Sequence, residues 1–536
     1  MHAMKQSDFI TKIQEKDTYK GCSGPIQLLQ THISYVILTG KYAYKIKKPV
    51  DFGFLDFSTL DKRKQFCAEE LRLNKRLCPE LYIDVISYTE TPEHLLEING
   101  SGPLVEYAVK MKQFSQNHIM AAQLKKGAVT FDHIKNITKT LVSFYEQYSP
   151  NEEVVSYGKP SMIKQNIDEN FQQTESVIDQ TISKDTYQFI KKVNADFFTQ
   201  AASVLTERMQ NGFIHECHGD LHSGNIVINK DDTICIFDCI EFNKRFRFID
   251  IASDIGFLAM DLDYQNHPFL SAAFIQQYKE MSADDTIDYV LNFYKSYRAY
   301  VRGKIYGFQI HDESRSKNER QQLISTAQRY FQLSKYYAML VSVQLQQNNP
   351  LLIIVSGLSG TGKSTLTLKL SVDYRAMILN TDVIRKHKAG IPLHERHFDE
   401  PDTGLYDPKH SHNTYTTVLD LAKTHLEQKK NVIIDATFQK KSYRDAARKI
   451  AEETKSIPIF IFCMAPEDQI KTWLHQRLQQ KTASDGRWEI YQRQKKTYEQ
   501  YTTDESKFIV DLSKNTMDQR MEQFNTIAQH ILEVIT

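Results

Sequence analysis

The first hundred residues alternate apolar and polar side chains in short runs, a pattern typical of β-strands. Between residues 22 and 114 such runs occur in ISYVILTG, KYAYKIKK, LYIDVISYTE and PLVEYAVKMKQF. One segment among them has helical spacing, STLDKRKQFCAEELRLNKRL. We therefore expect a small mixed sheet that carries one helix.

From about residue 160 to residue 345 helical periodicity dominates. The exceptions are two short β-prone runs, NIVIN and TICIFD, which follow the polar loop ECHGDLHSGN. A polar helix end then meets Asn348, Asn349 and Pro350, and proline disfavours helix in the residue before it. We place a domain boundary near residue 345.

After residue 350 four apolar runs alternate with amphipathic helical segments. The runs are LLIIVSG, AMILNTD, NVIIDATF and PIFIFCM. Strands that alternate with helices in this way are typical of a parallel α/β sheet.

Composition narrows the class of protein. Of the 536 residues 41% are hydrophobic and 25% charged, as in ordinary globular proteins, and the formal net charge of +1 gives no chain-wide basic field for nucleic acid or membrane. No apolar run has the length of a signal peptide core or a membrane span. The seven cysteines are odd in number and scattered, unlike a disulfide framework. We expect a cytoplasmic protein with no membrane partner.

The segment GLSGTGKST matches the Walker A motif, or P-loop, directly after an apolar strand and before a helical segment. Its backbone N–H groups would wrap a phosphate chain, its lysine would reach the outer phosphates, and its serine would ligate magnesium. The residues expected to bind ATP here are Gly357, Ser359, Gly360, Thr361, Gly362, Lys363, Ser364 and Thr365.

Acidic and basic residues near the P-loop suggest phosphoryl transfer. Asp435 ends an apolar strand and is the expected companion of Ser364 at magnesium; the alternative is an aspartate that only caps the strand end. Asp382 and Arg385, three residues apart, fit a base that takes a hydroxyl proton and an arginine that holds phosphate, or else a helix cap and a solvated arginine.

Further along, Arg477 and Lys481 share a predicted helix face, with Arg487 beyond. They fit a lid that neutralises the transferring phosphate, although a charged helix face is more often only solvated.

Together, GLSGTGKST, NTDVIRK, GLYDPKHSHNTY, NVIIDATF and RLQQK resemble the P-loop kinases that include polynucleotide kinases, gluconate kinases and zeta-type toxins. The resemblance covers about residues 350–500 and implies that Asp382 is the substrate base, Arg385 a phosphate or substrate contact, and Arg477 and Lys481 lid residues. In that group an arginine often stands where this chain has Lys481.

The polar loop at residues 216–228 contains several potential zinc ligands, but their spacing fits no usual zinc site. These residues are Cys217, His218, His222, Cys235 and Cys239. A second interpretation fits better, because Asp220, Asn225 and Asp238 follow the order that phosphoryl transfer by a protein-kinase-like fold requires.

HGDLHSGN resembles the catalytic loop of aminoglycoside and choline type phosphotransferases. The resemblance implies that Asp220 is the catalytic base and that Asn225 and Asp238 hold Mg²⁺ on ATP. We expect His218 and His222 to hold the loop's shape. Asp254 matches an aspartate that braces this loop, with a helix cap as an equal alternative.

The same resemblance implies a lysine on the third strand and a glutamate on the next helix. We choose Lys45, with Lys47 on the same strand face, and Glu70, with Glu69 as the alternative because the helix phase is open. Residues 106–114 would form the hinge that meets adenine. No glycine-rich loop precedes Lys45, so Thr31 and Ser34 in the first turn are candidate phosphate contacts.

Nearly the whole chain resembles bacterial two-domain proteins that join an aminoglycoside-phosphotransferase-like kinase to a P-loop kinase. The resemblance implies a bilobal protein-kinase-like fold over residues 1–345 (small lobe about 20–114, large lobe about 115–345) and a parallel α/β fold over residues 346–536, an α/β and α+β multidomain chain. The expected function is a bifunctional kinase that uses ATP and Mg²⁺ to phosphorylate a small molecule, a sugar or a nucleic-acid end.

Two alternatives remain open at this point. In one, a nucleotide-sensing half controls the other half. In the other, a toxin-like P-loop kinase is restrained by the first half.

Overall fold

The computed structural model describes residues 6–19, 22, 24–312, 315–393, 395, 404, 407–477, 486–503, 505–514 and 516–536. The β-strands are β1 (Gln27–Gln30), β2 (Ser34–Leu38), β3 (Tyr42–Lys47), β4 (Tyr82–Glu90), β5 (Leu96–Ile98), β6 (Leu104–Lys112), β7 (Ile214–Glu216), β8 (Ile226–Ile228), β9 (Ile234–Ile236), β10 (Phe248–Asp250), β11 (Leu351–Ser356), β12 (Ala376–Asn380), β13 (Asn431–Asp435), β14 (Ile457–Met464) and β15 (Phe508–Asp511).

The α-helices are α1 (Gln6–Lys12), α2 (Leu60–Asn74), α3 (Met120–Lys125), α4 (Phe131–Gln147), α5 (Glu152–Ser156), α6 (Pro160–Thr174), α7 (Lys184–Gln200), α8 (Ala202–Gln210), α9 (Lys244–Arg247), α10 (Ile251–Tyr264), α11 (Pro268–Met281), α12 (Ile287–Phe308), α13 (Lys317–Gln346), α14 (Lys363–Tyr374), α15 (Thr381–Lys388), α16 (Pro408–Glu427), α17 (Lys441–Thr454), α18 (Glu467–Arg477), α19 (Trp488–Thr497) and α20 (Met517–Ile535). None of the described helices is both long enough and apolar enough to cross a membrane.

The chain forms two compact units. The first contains residues 1–166, 203–261 and 277–284, and the second contains residues 167–202, 262–276 and 285–536. Residues 285–345 are therefore grouped with the sheet that follows them. The domain boundary near residue 345 remains a prediction.

In the first unit, β1–β6 form an antiparallel sheet in the order β1-β2-β3-β6-β4-β5. α2 begins where the Thr59 hydroxyl accepts the Lys62 N–H, and its Cys67 packs with Ala43 and Val109 on one sheet face. Tyr35 and Tyr88 pack on the other face with α1. The sheet with one helix that the sequence predicts is present.

Beyond this sheet the first unit is largely helical, with two short strand pairs. β8 and β9 form an antiparallel hairpin, and β7 pairs with β10. The loop between β7 and β8 contains Asp220, and the turn after β9 contains Asp238. Both predicted strands around the polar loop are present.

A disulfide joins Cys78, just before β4, to Cys235 in β9. The two residues are 157 positions apart in sequence, with their Cα atoms 4.9 Å apart. The sequence analysis, which found no disulfide framework among the seven cysteines, did not anticipate this pair. Chain folding brings the two thiols together, and no local spacing signals it.

In the second unit, β11–β15 form a parallel sheet in the order β12-β13-β11-β14-β15. β11 is buried at every position, and Leu352 and Ile354 pack with Val432 and Ile434 of β13. Strands buried on both faces are expected in a parallel sheet covered by helices. The sequence predicts four of these strands; the short edge strand β15 was missed.

The long helices α12 and α13 pack against each other and belong to this second unit. α13 begins with a capping box between Ser316 and Glu319. Near its C-terminal end, the Tyr336 hydroxyl donates a 2.6 Å hydrogen bond to Asp373, in the last turn of α14. The helix that follows the P-loop is thus anchored at its far end.

Candidate active sites

The P-loop connects β11 to α14, and its glycines are required by geometry. Gly357 has φ 139°, and a Cβ there would lie 2.5 Å from the Cys463 carbonyl oxygen. Gly362 has φ 87° and caps α14, and a Cβ there would lie 2.5 Å from a Leu512 methyl group. Side chains are thereby excluded, so the backbone can approach a phosphate chain closely.

Lys363 is the first residue of α14. Its ammonium group donates a 2.9 Å hydrogen bond to the Leu358 carbonyl within the loop. Burial lowers the pKa of Lys363, although Asp435 opposes this shift. A phosphate anion would supply a stronger acceptor than the carbonyl, as expected of a P-loop lysine.

Asp435 ends β13 next to the P-loop. Its side chain accepts a 2.8 Å hydrogen bond from the Asn380 amide, and burial raises the pKa of Asp435 while Lys363 and the Ser364 hydroxyl lower it. A buried carboxylate beside a hydroxyl is an oxygen donor set that suits Mg²⁺ with a nucleotide phosphate. The residues at this position fit the expected metal.

The P-loop lines a cavity of about 410 Å³. The predicted residues Ser359, Gly360, Gly362, Lys363, Ser364, Asp382, Arg385, Asp435 and Arg477 line it together. Gly357 and Thr365 are not among its lining residues. Thr361 is almost fully buried, and its hydroxyl donates to the Leu358 carbonyl, so its side chain supports the loop.

Asp382 and Arg385 lie in the first turns of α15 and form an ion pair, with 2.6 Å between Arg385 Nη1 and Asp382 Oδ1. The Asn380 side chain caps the helix by accepting the Asp382 and Val383 N–H groups. Asp382 is therefore not the cap, which removes one of the two interpretations made from sequence. Its carboxylate faces the cavity beside a fixed guanidinium group.

Only one of the two predicted lid residues lies in the part of the chain that the structure describes. Arg477, at the end of α18, lines the cavity, whereas Lys481 lies outside the described residues. The sequence did not single out α19, four of whose residues line the cavity: Ile490, Arg493, Gln494 and Thr497. These positions are spaced three, one and three residues apart and so share one helix face.

α19 also contacts the P-loop directly. The Gln494 side-chain oxygen accepts the Ser359 N–H at 2.8 Å, so it occupies an amide of the loop. After the helix, the Glu499 carboxylate accepts the Lys441 N–H at 2.5 Å. One side of the cavity is therefore built by α19 and its C-terminal extension.

In the first unit, Lys45 on β3 meets Glu70 on α2. Lys45 Nζ lies 2.8 Å from Glu70 Oε1 and also contacts Asp238. Burial works to lower the pKa of Lys45, but Asp238 and Glu70 outweigh it and hold that pKa well above its usual value. The predicted choice of Glu70 over Glu69 matches this pairing, since Glu69 pairs with Arg72 and Arg247.

A second lysine on the same strand face completes a buried charge network. Lys47 Nζ lies 2.7 Å from Glu70 Oε2 and also contacts Glu241. Burial works to raise the pKa of Glu70, but Lys45 and Lys47 lower it to about 2. The charges of the two lysines and the two glutamates thus balance, and Asp238 adds one further negative charge next to Lys45.

Side chains of the loop between β7 and β8 hold its shape through hydrogen bonds within the loop. Asn225 donates to the Asp220 carbonyl at 3.0 Å and to its carboxylate at 3.3 Å. His218 is fully buried; its Nδ1 accepts the Asp220 N–H at 3.2 Å, and its Nε2 faces the Phe237 carbonyl at 2.8 Å. His222 Nδ1 accepts the Gly224 N–H. Both histidines hold the loop's shape, as the sequence indicated.

Two aspartates of α10 accept hydrogen bonds from backbone N–H groups of this loop. Asp254 accepts the N–H groups of His218 at 2.7 Å and Gly219 at 2.9 Å. Asp261, two helical turns further on, accepts the Ser223 N–H at 2.9 Å. These contacts favour the brace over the helix cap for Asp254, whereas Asp261 was not singled out from the sequence.

Asp238 contacts Lys45 and has 42% of its side chain exposed. Its backbone N–H donates to the Tyr82 hydroxyl, and the Cys239 N–H donates to Asn74. Asp238 and the Asn225 side chain supply oxygen donors of the type that Mg²⁺ prefers. This donor set fits the expected metal.

Of the two phosphate contacts predicted in the turn between β1 and β2, the structure contradicts Ser34, whereas Thr31 is exposed and stays a prediction. Ser34 is completely buried, and the Thr31 hydroxyl accepts the Ser34 N–H within the turn. Ser34 is therefore not available to a nucleotide, which corrects that expectation.

Within the described residues, no group of three or more His, Cys, Asp or Glu side chains is arranged to hold a metal ion.

Comparison with known families identifies one region. Residues 352–501 match the family model described as an AAA domain. This range begins in β11 and ends after α19, so it includes the P-loop, Asp382, Asp435 and Arg493. With this match and the two kinds of sheet described above, the prediction of an α/β and α+β multidomain chain that ends in a parallel α/β P-loop fold is confirmed.

Related chains cover most of this one. Uncharacterized proteins of Mycobacterium tuberculosis and Mycobacterium bovis are 26% identical to it over 443 residues, which is 83% of this chain and 84% of theirs. The shared length includes parts of both halves.

Solved structures with similar folds fall into two sets. A gluconokinase from Sinorhizobium meliloti 1021 is 20% identical, with a TM-score of 0.25 over 34% of this chain and 95% of its own. A choline/ethanolamine kinase family protein from Mesorhizobium loti is 11% identical, with a TM-score of 0.37 over 62% of this chain and 99% of its own.

Proposed function

We propose that the chain is an ATP-dependent phosphotransferase with two sites, each of which transfers the γ-phosphoryl group of ATP to a hydroxyl group. The observation that carries the proposal is the cavity in which Asp382 faces the P-loop and Asp435. A base beside a nucleotide site is what transfer to a hydroxyl needs, and simple hydrolysis does not require it.

At the P-loop site, Asp382 takes the proton of the acceptor hydroxyl as its oxygen attacks the γ-phosphorus, and the bond to the β-phosphate oxygen breaks. Arg385 holds the Asp382 carboxylate in position through the 2.6 Å ion pair. Lys363 and Arg477 offset negative charge on the phosphates. Ser364 and Asp435 would hold Mg²⁺, which would supply further neutralisation of the phosphate charge.

At the first site, Asp220 has the corresponding role and Asn225 fixes its carboxylate. Lys45 exchanges its contact with Asp238 for the nucleotide phosphates, while Glu70 keeps the lysine in place. Asn225 and Asp238 would hold Mg²⁺ there. Residues 106–114 begin in β6, the strand that pairs with β3, and supply the backbone next to the adenine.

The test uses the full chain with γ-labelled ATP and a panel of sugars, amino sugars, nucleosides and 5′-hydroxyl oligonucleotides. Asp220→Asn and Asp382→Asn are each expected to abolish one labelled product and leave the other. The matched controls Asp17→Asn and Asp420→Asn change exposed aspartates in each half. Loss of both products from one substitution would contradict separate sites, and ATP binding without any transfer would favour the nucleotide-sensing alternative.

A further inference from the structure

One peptide unit of the P-loop is held from both sides. The Leu358 carbonyl accepts a 2.9 Å hydrogen bond from Lys363 Nζ, and the Ser359 N–H of the same peptide unit donates a 2.8 Å hydrogen bond to Gln494 Oε1 in α19. The Thr361 hydroxyl also donates to the Leu358 carbonyl, at 2.9 Å. Both polar groups of this peptide unit therefore have protein partners, so a bound phosphate does not need to satisfy them.

Other N–H groups of the loop remain for a phosphate chain. In the part of the chain that the structure describes, the backbone N–H groups of Gly360, Gly362, Lys363 and Ser364 donate no hydrogen bond. Such N–H groups at the start of a helix are the ones that hold phosphate oxygens. Gln494 can therefore keep its contact with Ser359 while a nucleotide binds.

The contact with Ser359 fixes the orientation of the Gln494 carboxamide. A backbone N–H can only donate, so the carboxamide must present its oxygen to the loop, and its NH₂ group is at the other end. Within the described ranges of the chain this NH₂ group donates no hydrogen bond. Gln494 lines the same cavity as Lys363 and Asp382. Two donor hydrogens of Gln494 are thus available beside the nucleotide-binding loop.

Packing at both ends of α19 holds Gln494 in place. Tyr491, three residues before Gln494, is buried against α18 and packs with Leu358 of the P-loop. After the helix, the Tyr501 hydroxyl shares a 2.8 Å hydrogen bond with the hydroxyl of Ser356, the last residue of β11. A donor that is already held in position loses little conformational entropy when it binds a ligand.

Lys363 indicates which part of a nucleotide Gln494 would meet. The lysine of a P-loop reaches the outer phosphates of the bound nucleotide. Lys363 and Gln494 contact the two sides of a single peptide unit, so we expect both side chains to reach the same end of the phosphate chain. A phosphate oxygen is a charged acceptor, for which a hydrogen bond is about twice as strong as for a neutral one.

We propose that Gln494 binds the γ-phosphate of ATP: its Oε1 stays on the Ser359 N–H, and its NH₂ group donates to an oxygen of the γ-phosphoryl group. This inference rests on the proposed function of the P-loop site. It adds a neutral donor from α19 to the cations assigned there, Lys363 and Arg477. ADP lacks the γ-phosphoryl group and therefore does not make this contact.

The test uses two probes that differ only in a mimic of the γ-phosphate, namely ADP and ADP with beryllium fluoride, each with Mg²⁺. Calorimetry on the full chain gives Kd for each probe. The component of binding that Lys363→Ala abolishes belongs to the P-loop site. Binding at the first site is the internal reference, because the variants of α19 leave its residues unchanged.

Two variants remove the donor in different ways. Gln494→Glu keeps an oxygen for the Ser359 N–H, whereas Gln494→Met is uncharged and has neither group. Both are expected to weaken binding of ADP with beryllium fluoride about tenfold or more, and to change Kd for ADP less than about twofold. The matched control Gln492→Glu adds the same charge at an exposed position of α19 that is not among the lining residues, and should change neither Kd.

Two results would overturn the inference. If Gln494→Glu binds ADP with beryllium fluoride as tightly as the wild type, only the oxygen of Gln494 matters and the residue merely holds the loop. If both variants weaken the two probes equally, the loss does not lie at the γ-phosphate. Failure of the proposed function looks different, because Lys363→Ala would then leave the binding of both probes unchanged.

Discussion

At the scale of single residues, the strongest energetic constraint in the first site is the buried charge around Lys47. Lys47 and Glu70 are fully buried, and Glu241 nearly so. Charges lose their hydration on burial, and only close partners compensate for that loss. Because Lys47 lies between the two carboxylates, its removal would leave both with too little positive charge.

We therefore expect Lys47→Met to lower the free energy of unfolding by about 3–5 kcal/mol. The double variant Lys47→Met with Glu241→Met should recover much of that loss, because it removes a carboxylate with the lysine. Urea denaturation followed by circular dichroism measures both. Lys41→Met, at an exposed lysine, is the control. A loss of less than about 1 kcal/mol in the single variant would contradict the network's importance.

A pH dependence follows from His218. Burial lowers the pKa of its imidazole, and both ring nitrogens are committed to hydrogen bonds that a neutral ring satisfies. The unfolded chain, with a histidine pKa of about 6.5, then binds more protons as the pH falls through that value. The stability that the neutral, buried His218 contributes is fully present above a pH of about 6.5 and is lost as the pH falls below that value.

Urea denaturation at pH 7.5 and pH 5 should therefore show a loss of stability on acidification that is smaller in His218→Gln. The exposed His32→Gln is expected to keep the wild-type difference between the two pH values. If His218→Gln has the full wild-type difference, this histidine does not carry the effect.

Residue identities in the sites were largely predictable, whereas partners were not. Motif spacing located Asp220, Asn225 and Lys363, since local backbone chemistry fixes these positions. The role of Lys47 depends on Glu241, 194 residues away in sequence. Arg493 reaches the cavity only because α19 folds back over the P-loop. Such contacts arise from tertiary packing and leave no short-range pattern.

At the scale of elements, α10 supports the loop that contains Asp220 through two aspartates. Asp254 and Asp261 are seven residues apart, two turns on one helix face, and accept backbone N–H groups at two points of the loop. In the proposed function Asp254 is a positioning residue, because its contacts reach Asp220 only through the backbone of His218 and Gly219.

We expect Asp254→Asn to lower kcat at the first site about 100-fold with little change in KM for ATP, because a displaced base misaligns with the acceptor. An amide supplies one acceptor oxygen where the carboxylate supplies two. The second site and the exposed control Asp185→Asn should be unaffected. A change in KM alone, or an equal loss at both sites, would contradict positioning through this loop.

The disulfide between Cys78 and Cys235 leads to a second prediction at this scale. It joins the segment just before β4 to β9, three residues before Asp238, and closes a long loop. A crosslink over this separation stabilises by up to about 4–5 kcal/mol in the chain-entropy account.

Reduction of the full chain, or Cys78→Ser, should therefore lower the unfolding temperature. Cys22→Ser should respond to reductant as the wild-type chain does, because Cys22 is a free thiol. Equal stability with and without reductant, together with two additional alkylatable thiols in the untreated protein, would show that the pair is not bonded.

Element types were predictable where periodicity was long and continuous. β11, β13 and β14 are apolar runs followed by helical patterns, which is enough to indicate a parallel sheet. β15 contains four residues at a sheet edge and gives too short a run to distinguish from a loop. The grouping of α12 and α13 with the P-loop sheet depends on side-chain packing between helices, which a one-dimensional pattern does not contain.

At the scale of the whole molecule, the proposal of two nucleotide sites implies that ATP stabilises the folded chain in two separable steps. A ligand that binds only the folded state stabilises it, by about 2.7 kcal/mol when its concentration is 100 times Kd. Lys45 and Lys363 are the lysines expected to contact phosphate, one in each compact unit. Each site should contribute its own increment of stability.

We expect Lys45→Met to abolish one nucleotide-induced increase in unfolding temperature and Lys363→Met to abolish the other, each measured against the same variant without nucleotide. The double variant should show no response to a non-hydrolysable ATP analogue with Mg²⁺. Comparing each variant with itself separates lost binding from lost folding, which matters because Lys45 also pairs with Glu70. If Lys363→Met alone removed the entire response, the first unit would bind no nucleotide, and a chain with two kinase sites would be contradicted.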